Sequence, residues 1–211
     1  MDKIVCVEKN YLEHAKELGD AVPEKPVVFL KPPSVLRSVA QNQSIDLNIP
    51  CDRGAVHHEC EIVLQLKSGG YRLSVEEAKK AIGAVTVGLD MTLRDVQAHL
   101  KKTGSPWTIA KVFPDSAIVG PWQTIDQLPK YLETHFSLKV NGNLRQEGTA
   151  TQMTLSPAEC VAYLSEQFPL CPGDLIFTGT PKGVASVVPG DAAVLTFGPI
   201  QYHVKWHGLK P

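Results

Sequence analysis

The sequence has 211 residues, and at about 150 residues per domain this length predicts a single domain. Hydrophobic residues make up 43% of the chain and charged residues 20%, a globular composition that excludes wholesale disorder. The formal net charge of −1 leaves no broad basic surface for nucleic acid or an anionic membrane. We therefore expect a soluble protein with a small-molecule partner, without nucleic acid or membrane.

Signals for secretion or membrane insertion are not found in the sequence. The apolar stretch at residues 4–7 is too short for a signal peptide, and the longest run without a charged residue, 192–204, falls short of the ~18 residues that a membrane span needs. The 5 cysteines form no Cys-x-x-Cys pair, which is typical of reduced thiols and argues against a zinc site or a disulfide framework. We expect a cytoplasmic protein.

The first half of the chain mixes short strands with short helices. Strands are predicted at residues 4–7 and 27–30, the second of them buried, and the polar segment 33–53 is predicted to be mostly loop. Asn10 is expected to cap a helix over residues 11–18. Further along, the sequence predicts a strand at 57–66, a helix opened by a capping box of Ser74 and Glu77, and an apolar strand at 84–89 that ends at Asp90.

In the second half, strands outnumber helices. Thr92 is predicted to cap a helix that ends before Gly104, and a capping box at Ser156 predicts another helix. Asn141-Gly142 supplies the two positive-φ positions of a type I′ turn, which predicts a hairpin over 137–146. The last strands are predicted at 174–178, 193–197 and 201–206. The pattern is that of an α+β fold with a majority of strands.

Two glutamates share one face of the predicted strand 57–66. With the two-residue period of a strand, Cys60 and Ile62 face the core, whereas Glu59 and Glu61 project from the other face, about 7 Å apart. Like charges so placed repel each other unless a cation holds them or one carboxyl is protonated. The alternative is an exposed strand face with ordinary solvated glutamates.

Asp90 adds a third carboxylate. It follows the apolar strand 84–89 and is expected near the margin of the core. Three carboxylates without a Cys or His partner at metal-ligand spacing suit a hard octahedral ion, Mg²⁺ or Mn²⁺, rather than zinc. Such a site leaves about three coordination positions for water or a chelating substrate. The alternative role of Asp90 is a helix cap or a turn residue.

Other candidate groups lie in three separate segments. His14 and Glu17 are three residues apart on one face of the predicted helix, as a general-base dyad for activating water or as an ordinary surface pair. Lys111 is a lone cation in an apolar run, where burial needs an anionic partner. The glycine loop 178–183 could offer backbone N–H and hydroxyl groups to a carboxylate, with a plain turn as the alternative.

Seven short motifs follow one another along the chain. They are Asn-Tyr-x-x-His-x-x-Glu, Phe-Leu-Lys-Pro, His-His-Glu-x-Glu, Leu-Asp-Met-Thr-x-Arg-Asp-Val-Gln, Pro-Trp-Thr-x-Ala-Lys, Val-Asn-Gly-x-x-Arg-Gln-x-Gly and Thr-Gly-Thr-Pro-Lys-Gly. Each motif alone is weak, but the ordered set spans almost the whole chain, from Ile4 to about Phe197. Together they resemble the fumarylacetoacetate hydrolase family, especially its short acylpyruvase and oxaloacetate decarboxylase branch.

The resemblance implies a mixed β-sandwich roll of this family's C-terminal-domain type, formed by residues 1–211 as one catalytic domain and usually dimeric. It implies Mg²⁺, with Mn²⁺ or Ca²⁺ able to substitute, held by Glu59, Glu61 and Asp90. The catalytic positions that the motifs match are His14, Glu17 and Lys111, and the substrate-binding positions are Arg94, Gln97, Thr180 and Lys31.

The family's substrates are α-keto acids with a β-carbonyl group. The resemblance therefore implies a hydrolase that cleaves the C–C bond of small acylpyruvates, in which Lys111 stabilises the enolate of pyruvate and His14 with Glu17 delivers water. The alternative is an oxaloacetate decarboxylase or keto–enol tautomerase on the same metal site. A non-catalytic keto-acid binding protein is the alternative from a different class.

Two positions depart from the family's pattern. Glu8 stands two residues before Asn10, where the family's motif commonly has glycine. If that glycine serves a special backbone conformation or close approach of substrate, Glu8 alters the geometry of the segment that closes over substrate in relatives. Cys60 replaces a usual apolar residue between the two glutamates, and it is expected to pack in the core rather than to bind metal.

Overall fold

Strands dominate the structure. The computed structural model describes residues 1–11 and 26–209. The strands in this part are β1 (Ile4–Glu8), β2 (Val27–Lys31), β3 (Leu36–Ser38), β4 (Ser44–Ile49), β5 (Val56–His58), β6 (Cys60–Leu66), β7 (Ile82–Asp90), β8 (Thr92–Leu93), β9 (Ala117–Val119), β10 (Gln123–Thr124), β11 (Phe136–Val140), β12 (Asn143–Gly148), β13 (Leu175–Phe177), β14 (Ala185–Val187), β15 (Ala192–Phe197) and β16 (Ile200–Gly208). The α-helices are α1 (Val75–Ala81), α2 (Arg94–Thr103), α3 (Thr108–Lys111) and α4 (Pro157–Gln167), and 3₁₀ turns lie at Pro33–Val35 and Ala150–Gln152.

These strands form three sheets. An eight-stranded sheet has the order β2-β1-β13-β6-β7-β9-β3, with β10 also paired to β7. A five-stranded sheet has the order β12-β11-β15-β16-β4, and a small third sheet has the order β14-β5-β8. Most neighbours are antiparallel, but β1 with β13, β3 with β9 and β4 with β16 are parallel. The expected mixed β-sandwich roll is therefore confirmed.

The main core lies between the large and the five-stranded sheets. On β16, the side chains of Tyr202, Val204 and Trp206 are fully buried and alternate with more exposed residues, so one face of the strand packs inward. The Tyr202 hydroxyl donates a hydrogen bond to the Val87 carbonyl oxygen (3.0 Å), which joins the two sheets. A second apolar cluster, to which Val63 belongs, covers the other face of the large sheet. The central strands β6 and β7 are consequently buried on both faces, and the polar side chains of Glu61, Thr86 and Asp90 are buried with them.

Local sequence signals predicted several elements correctly. Capping boxes at Ser74 and Ser156 begin α1 and α4. Asn141 (φ 50°) and Gly142 (φ 79°) form the turn of the predicted hairpin between β11 and β12. Gly104, with a left-handed conformation (φ 69°), ends α2.

Predictions that depended on pairing between distant segments were less accurate. Segment 33–53, which was predicted to be mostly loop, also contains the strands β3 and β4, which pair with β9 and β16. The strand β2 is an edge strand and is mostly half-buried rather than buried. Segment 57–66 forms two strands, β5 and β6, with Glu59 between them.

Two predicted helix starts also require correction. Thr92 does not cap α2; it lies in β8, and Leu93 occupies the cap position. Tyr11, the predicted first residue of the N-terminal helix, pairs with Met153 in an isolated β-bridge, and residues 12–18 lie outside the described part. Among the helices of residues 1–11 and 26–209, none is long and apolar enough to cross a bilayer.

Candidate metal centre and active site

Three carboxylates converge where β6 meets β7. Glu61 lies in β6, Asp90 ends β7 and Glu59 immediately precedes β6; each contributes one oxygen, and these oxygens lie within 4.8 Å of one another. All three residues are buried, with Glu59 the most exposed at 4%. The alternative of a solvated strand face is therefore wrong for these glutamates. Asp90 occupies the cap position of none of the α-helices in the described residues, and its carboxylate contacts Lys111 and Lys31 instead.

Burial and mutual repulsion both act on the charge of this triad. Burial and the neighbouring Asp90 and Glu59 carboxylates raise the pKa of Glu61 well above its ordinary value. The backbone N–H of Gly179 donates to Glu61 Oε2 (2.7 Å) and opposes that rise only in part. A divalent cation held by the triad would oppose this rise and favour the ionised form of Glu61.

The donor set fits a divalent cation. The cavity that the triad lines, together with Glu8 and Thr180, offers about 10 Å³, roughly the space of one small ion or water molecule. Asp90 Oδ1 accepts no hydrogen bond within the described part of the chain, although the Lys31 ammonium lies 2.6 Å away. A site built from carboxylate oxygens, without thiolate or imidazole, suits Mg²⁺, Mn²⁺ or Ca²⁺ better than zinc.

Lys111 is fully buried at the end of α3 and directly contacts the triad. Its ammonium donates hydrogen bonds to Glu59 Oε2 (2.7 Å), Asp90 Oδ2 (2.8 Å) and Thr92 Oγ1 (2.7 Å). Burial alone would lower the pKa of Lys111, but the Asp90 and Glu59 carboxylates raise it above its ordinary value. The expectation that this lysine needs an anionic partner is confirmed, and the side chain remains a cation.

Lys31 is a second buried ammonium at the triad. It ends β2, and its Nζ donates to the backbone carbonyls of Ser116 (2.6 Å) and Met91 (3.1 Å) beside its contact with Asp90. These contacts are all with protein groups. We therefore interpret Lys31 as a residue that orients the Asp90 carboxylate.

Arg94 and Gln97 on α2 connect the triad to Glu8. Arg94 donates through Nη2 to Glu59 Oε1 (2.5 Å) and through Nη1 to Gln97 Oε1 (2.6 Å). Gln97 Nε2 in turn donates to Glu8 Oε1 at 3.4 Å. The expected substrate-binding residues Arg94 and Gln97 therefore lie together beside the triad, and their hydrogen bonds go to the carboxylates of Glu59 and Glu8 and to the Gln97 amide oxygen.

The glycine loop after β13 forms another wall of the cavity. Gly179 has φ 98°, and a Cβ added there would lie 2.9 Å from Asn10 Cβ, so a larger residue would disturb the wall. The Thr180 hydroxyl donates to the Cys60 carbonyl (2.8 Å) and accepts from Gln146 Nε2 (2.7 Å). The carboxylate that this loop binds is Glu61, and Cys60 itself is buried in the core as expected.

Gln146 supports the site, although the sequence reasoning gave it no role of its own. Its Oε1 accepts from the Cys60 backbone N–H (2.9 Å) and lies 2.9 Å from His58 Nδ1. Burial lowers the pKa of His58 to about 4, so the ring is neutral, and with an acceptor opposite it the N–H lies on Nδ1. Gln146 is part of the motif Val-Asn-Gly-x-x-Arg-Gln-x-Gly, but only the fold shows that it joins β12 to β6 and to the glycine loop.

Asn10 was expected to cap a helix whose residues 12–18 lie outside the described part, and among the described residues its side chain has other partners. Its Nδ2 donates to the carbonyls of Thr178 (2.9 Å) and Leu155 (3.0 Å), and its Oδ1 accepts from the Leu155 N–H (2.8 Å). It thereby fastens the chain just after β1 to the glycine loop. The expected dyad of His14 and Glu17 follows in sequence and lies outside the described residues.

The sequence matches the family model described as fumarylacetoacetate (FAA) hydrolase C-terminal over residues 3–205. It is 41% identical over 198 residues to oxaloacetate tautomerase YcgM of Escherichia coli (strain K12), which covers 93% of this chain and 89% of the relative. It is 39% identical over 210 residues to the mitochondrial oxaloacetate tautomerase FAHD1 of Arabidopsis thaliana, covering 96% of this chain and 91% of the relative.

The fold is also similar to that of solved structures. The crystal structure of fumarylpyruvate hydrolase from Pseudomonas aeruginosa, in complex with Mn²⁺ and pyruvate, superposes with a TM-score of 0.94 and 36% sequence identity. The match covers 99% of this chain and 91% of the neighbour. Sequence and fold comparisons therefore agree.

Proposed function

Because the chain belongs to the fumarylacetoacetate hydrolase family, whose members are metal-dependent enzymes, we propose that it is a Mg²⁺-dependent hydrolase of small acylpyruvates. The reaction would consume one water and cleave a C–C bond to yield pyruvate and a carboxylic acid. The observation that carries this proposal is the buried triad of Glu59, Glu61 and Asp90 with the Lys111 ammonium against it. A small acid that chelates a cation through a carboxylate and a keto oxygen suits such a centre.

In this proposal, Glu59, Glu61 and Asp90 hold the cation. When bound, Mg²⁺ supplies Lewis-acid polarisation of the substrate's carboxylate and keto oxygens. The all-oxygen donor set supports a hard cation, and the Mn²⁺ of the Pseudomonas aeruginosa hydrolase supports a divalent one.

Lys111 is proposed to stabilise negative charge on the departing fragment. Its ammonium is buried and permanently charged, so it acts as a fixed electrostatic donor rather than as an acid or a base. Its contacts with Glu59 and Asp90 would weaken once these carboxylates serve as metal ligands. That leaves an N–H to donate to the enolate oxygen that forms as the C–C bond breaks.

Water activation is assigned to His14 with Glu17 as its partner. The imidazole would take a proton from water as its oxygen adds to the distal carbonyl. The electrons of the broken C–C bond then pass into the enolate of pyruvate, which takes up a proton at carbon. The substrate pocket would be lined by Arg94, Gln97 and Thr180, and Lys31 would hold Asp90 in place.

A second candidate is supported by the names of the relatives. Both the Escherichia coli and the Arabidopsis thaliana proteins are oxaloacetate tautomerases. Tautomerisation moves a proton at C3, and decarboxylation releases CO₂ to leave the enolate of pyruvate; neither consumes water. The same triad and lysine would serve either reaction, with oxaloacetate in place of an acylpyruvate.

Parallel assays separate these candidates. Purified protein is supplied with acetylpyruvate, oxaloacetate or enol-oxaloacetate, with Mg²⁺ and with excess EDTA. The proposal expects acetylpyruvate to yield pyruvate and acetate at the highest kcat/KM, and EDTA to abolish the activity. Turnover of enol-oxaloacetate alone would contradict the hydrolase and support the tautomerase. Oxalate binding without any turnover would indicate a keto-acid binding protein.

We also propose that residues 1–211 act as a single catalytic domain within a cytoplasmic homodimer, as is usual in the family. Light scattering on the purified protein tests the dimer: a mass near 46 kDa, twice the 23.0 kDa of one chain, is expected, and 23.0 kDa would contradict it.

A further inference from the structure

A fourth carboxylate lines the cavity at the triad. Glu8 ends β1, is only 7% exposed, and borders the same small cavity as Glu59, Glu61 and Asp90. Its Oε1 accepts the long hydrogen bond from Gln97, and its buried Oε2 has no hydrogen-bond partner among the described residues. A buried acidic oxygen without a partner at the wall of the cavity that the triad lines calls for a functional explanation.

The charges around the cavity show what Glu8 changes. Three carboxylates of the triad face three cations, Lys31, Lys111 and Arg94, so these groups balance one another. A divalent cation would leave a net charge of two positive units, which suits a doubly charged acid. The Glu8 carboxylate reduces this to one positive unit, which suits a singly charged acid. Lys101 Nζ lies 4.0 Å from Glu8 Oε1 but is 29% exposed, so water screens part of its charge.

Glu8 also accepts from the Gln97 amide, a donor that a second substrate carboxylate would need. The Arg94 Nη groups are directed to Glu59 and Gln97, and the Gln97 amide N–H is directed to Glu8. Within the described part of the cavity wall, the Glu8 carboxylate thus lies at the end of the hydrogen-bonded chain that runs from Glu59 through Arg94 and Gln97. A distal carboxylate of substrate would meet a like charge there, and of the donors in this hydrogen-bonded chain only the buried Arg94 Nε has no partner among the described residues.

We propose that Glu8 is a specificity-determining residue, which directs the site to keto acids with one carboxylate and an uncharged distal group and disfavours dicarboxylic keto acids. This rests on the proposed function, because it assumes that a keto acid binds at the triad. It makes monocarboxylic acylpyruvates better substrates than oxaloacetate or fumarylpyruvate, which carry a second carboxylate.

Binding of a matched pair of ligands tests this directly. 2-Oxopentanoate and 2-oxoglutarate have five carbons each and share the keto-acid end, but the far end is a methyl group in one and a carboxylate in the other. Calorimetry on the Mg²⁺-loaded protein should give a Kd about tenfold lower for 2-oxopentanoate. In Glu8→Gln, which keeps the size but removes the charge, this preference should fall at least tenfold, a change of about 1.4 kcal/mol in relative affinity.

Glu8→Gly provides a second variant that removes both charge and bulk, and it should shift the preference in the same direction. Glu147→Gln, on the exposed face of β12, is the matched control and should keep the wild-type preference. A kinetic readout accompanies binding: kcat/KM for oxaloacetate relative to acetylpyruvate should rise about tenfold in both Glu8 variants.

The outcomes distinguish this inference from the function on which it rests. An unchanged preference in both Glu8 variants, with ligands still bound to the metal-loaded protein, overturns the role of Glu8 and leaves the proposed function standing. If neither keto acid binds the Mg²⁺-loaded wild-type protein, the proposed function fails and the role of Glu8 fails with it.

Discussion

The ammonium nitrogen of Lys111 lies 2.7 Å from Glu59 and 2.8 Å from Asp90, so two of the three proposed metal ligands share one buried counter-ion. The metal-free site therefore depends on this lysine for its charge balance. The same group is placed to meet an anionic substrate once a cation holds the carboxylates. In the proposed mechanism, stability without metal and catalysis with metal are thus linked through one side chain.

Replacing Lys111 by methionine should affect both properties. Removal of one partner from a buried charge cluster leaves carboxylates uncompensated, and we expect the free energy of unfolding of the metal-free protein to fall by about 3–5 kcal/mol. Activity should be lost even at saturating Mg²⁺. Urea unfolding and acetylpyruvate assays measure the two effects. Lys205→Met, at an exposed position of β16, is the control, and equal losses in both variants would contradict a specific role for Lys111.

Gln146 should act on the metal through its neighbours. Gln146→Leu removes the acceptor of the Cys60 N–H and the donor to Thr180, so the strand segment that carries Glu59 and Glu61 loses its support. Partners outside the ligand set change metal affinity by about 10–100-fold, and we expect a loss of that size in Mn²⁺ affinity by calorimetry. The exposed Gln201→Leu should bind Mn²⁺ normally; unchanged affinity in Gln146→Leu would remove Gln146 from the site.

His14→Ala tests the proposed base. Loss of a positioned general base lowers the rate of a hydrolytic step by about 10²–10⁴-fold, and kcat for acetylpyruvate cleavage should fall accordingly. Mn²⁺ affinity should remain that of the wild type, since the ligands are carboxylates elsewhere in the chain. The control is His207→Ala, at an exposed imidazole on β16 beside Asp46. Wild-type turnover by His14→Ala would exclude this residue as the base.

The sequence predicted the convergence of the three carboxylates, but it missed several of the strand pairings around them. Glu59 and Glu61 follow from the two-residue period of a strand, and the ordered motifs pointed to Asp90 and Lys111. An anionic partner for Lys111 could be expected, although not its identity, because a buried ammonium needs an anion. The hairpin at Asn141-Gly142 could be predicted equally well, because its turn depends on the conformation of these two residues alone.

What the sequence could not show is long-range pairing. β3 and β4 lie in a polar segment and exist because β9 and β16 offer them hydrogen bonds. The burial of both faces of β6 comes from a second apolar layer contributed by distant strands. Gln146 acts on Cys60 and Thr180 across 86 and 34 residues of sequence, and no local pattern encodes such contacts.

Asp174 provides a test of stability that is independent of the metal centre. Its carboxylate accepts hydrogen bonds from the backbone N–H groups of Asp2, Lys3 and Cys171, and Lys3 Nζ lies 2.8 Å away. Burial alone would raise the pKa of Asp174, but these partners lower it below its ordinary value of 3.8. A carboxyl whose pKa is lower in the folded state stabilises the protein above its unfolded pKa, and this contribution is lost as pH falls.

We therefore expect Asp174→Asn to reduce the free energy of unfolding by about 2 kcal/mol at pH 6. The difference from the wild type should stay constant down to about pH 5 and shrink below about pH 4, where the wild-type carboxyl takes up its proton. Urea unfolding of both proteins between pH 3 and pH 7 provides the measurement. A difference that does not change with pH would show that the charge of Asp174 contributes nothing.

The most direct test of the metal centre is a Mn²⁺ titration of the wild-type protein and of Glu61→Gln by calorimetry. We expect one Mn²⁺ per chain in the wild type and no binding in Glu61→Gln, while Glu147→Gln binds as the wild type does. Because the glutamine relieves repulsion within the triad, the metal-free variant should also melt at a higher temperature than the metal-free wild type. Binding of one Mn²⁺ per chain by Glu61→Gln with wild-type affinity would contradict a cation held by Glu59, Glu61 and Asp90.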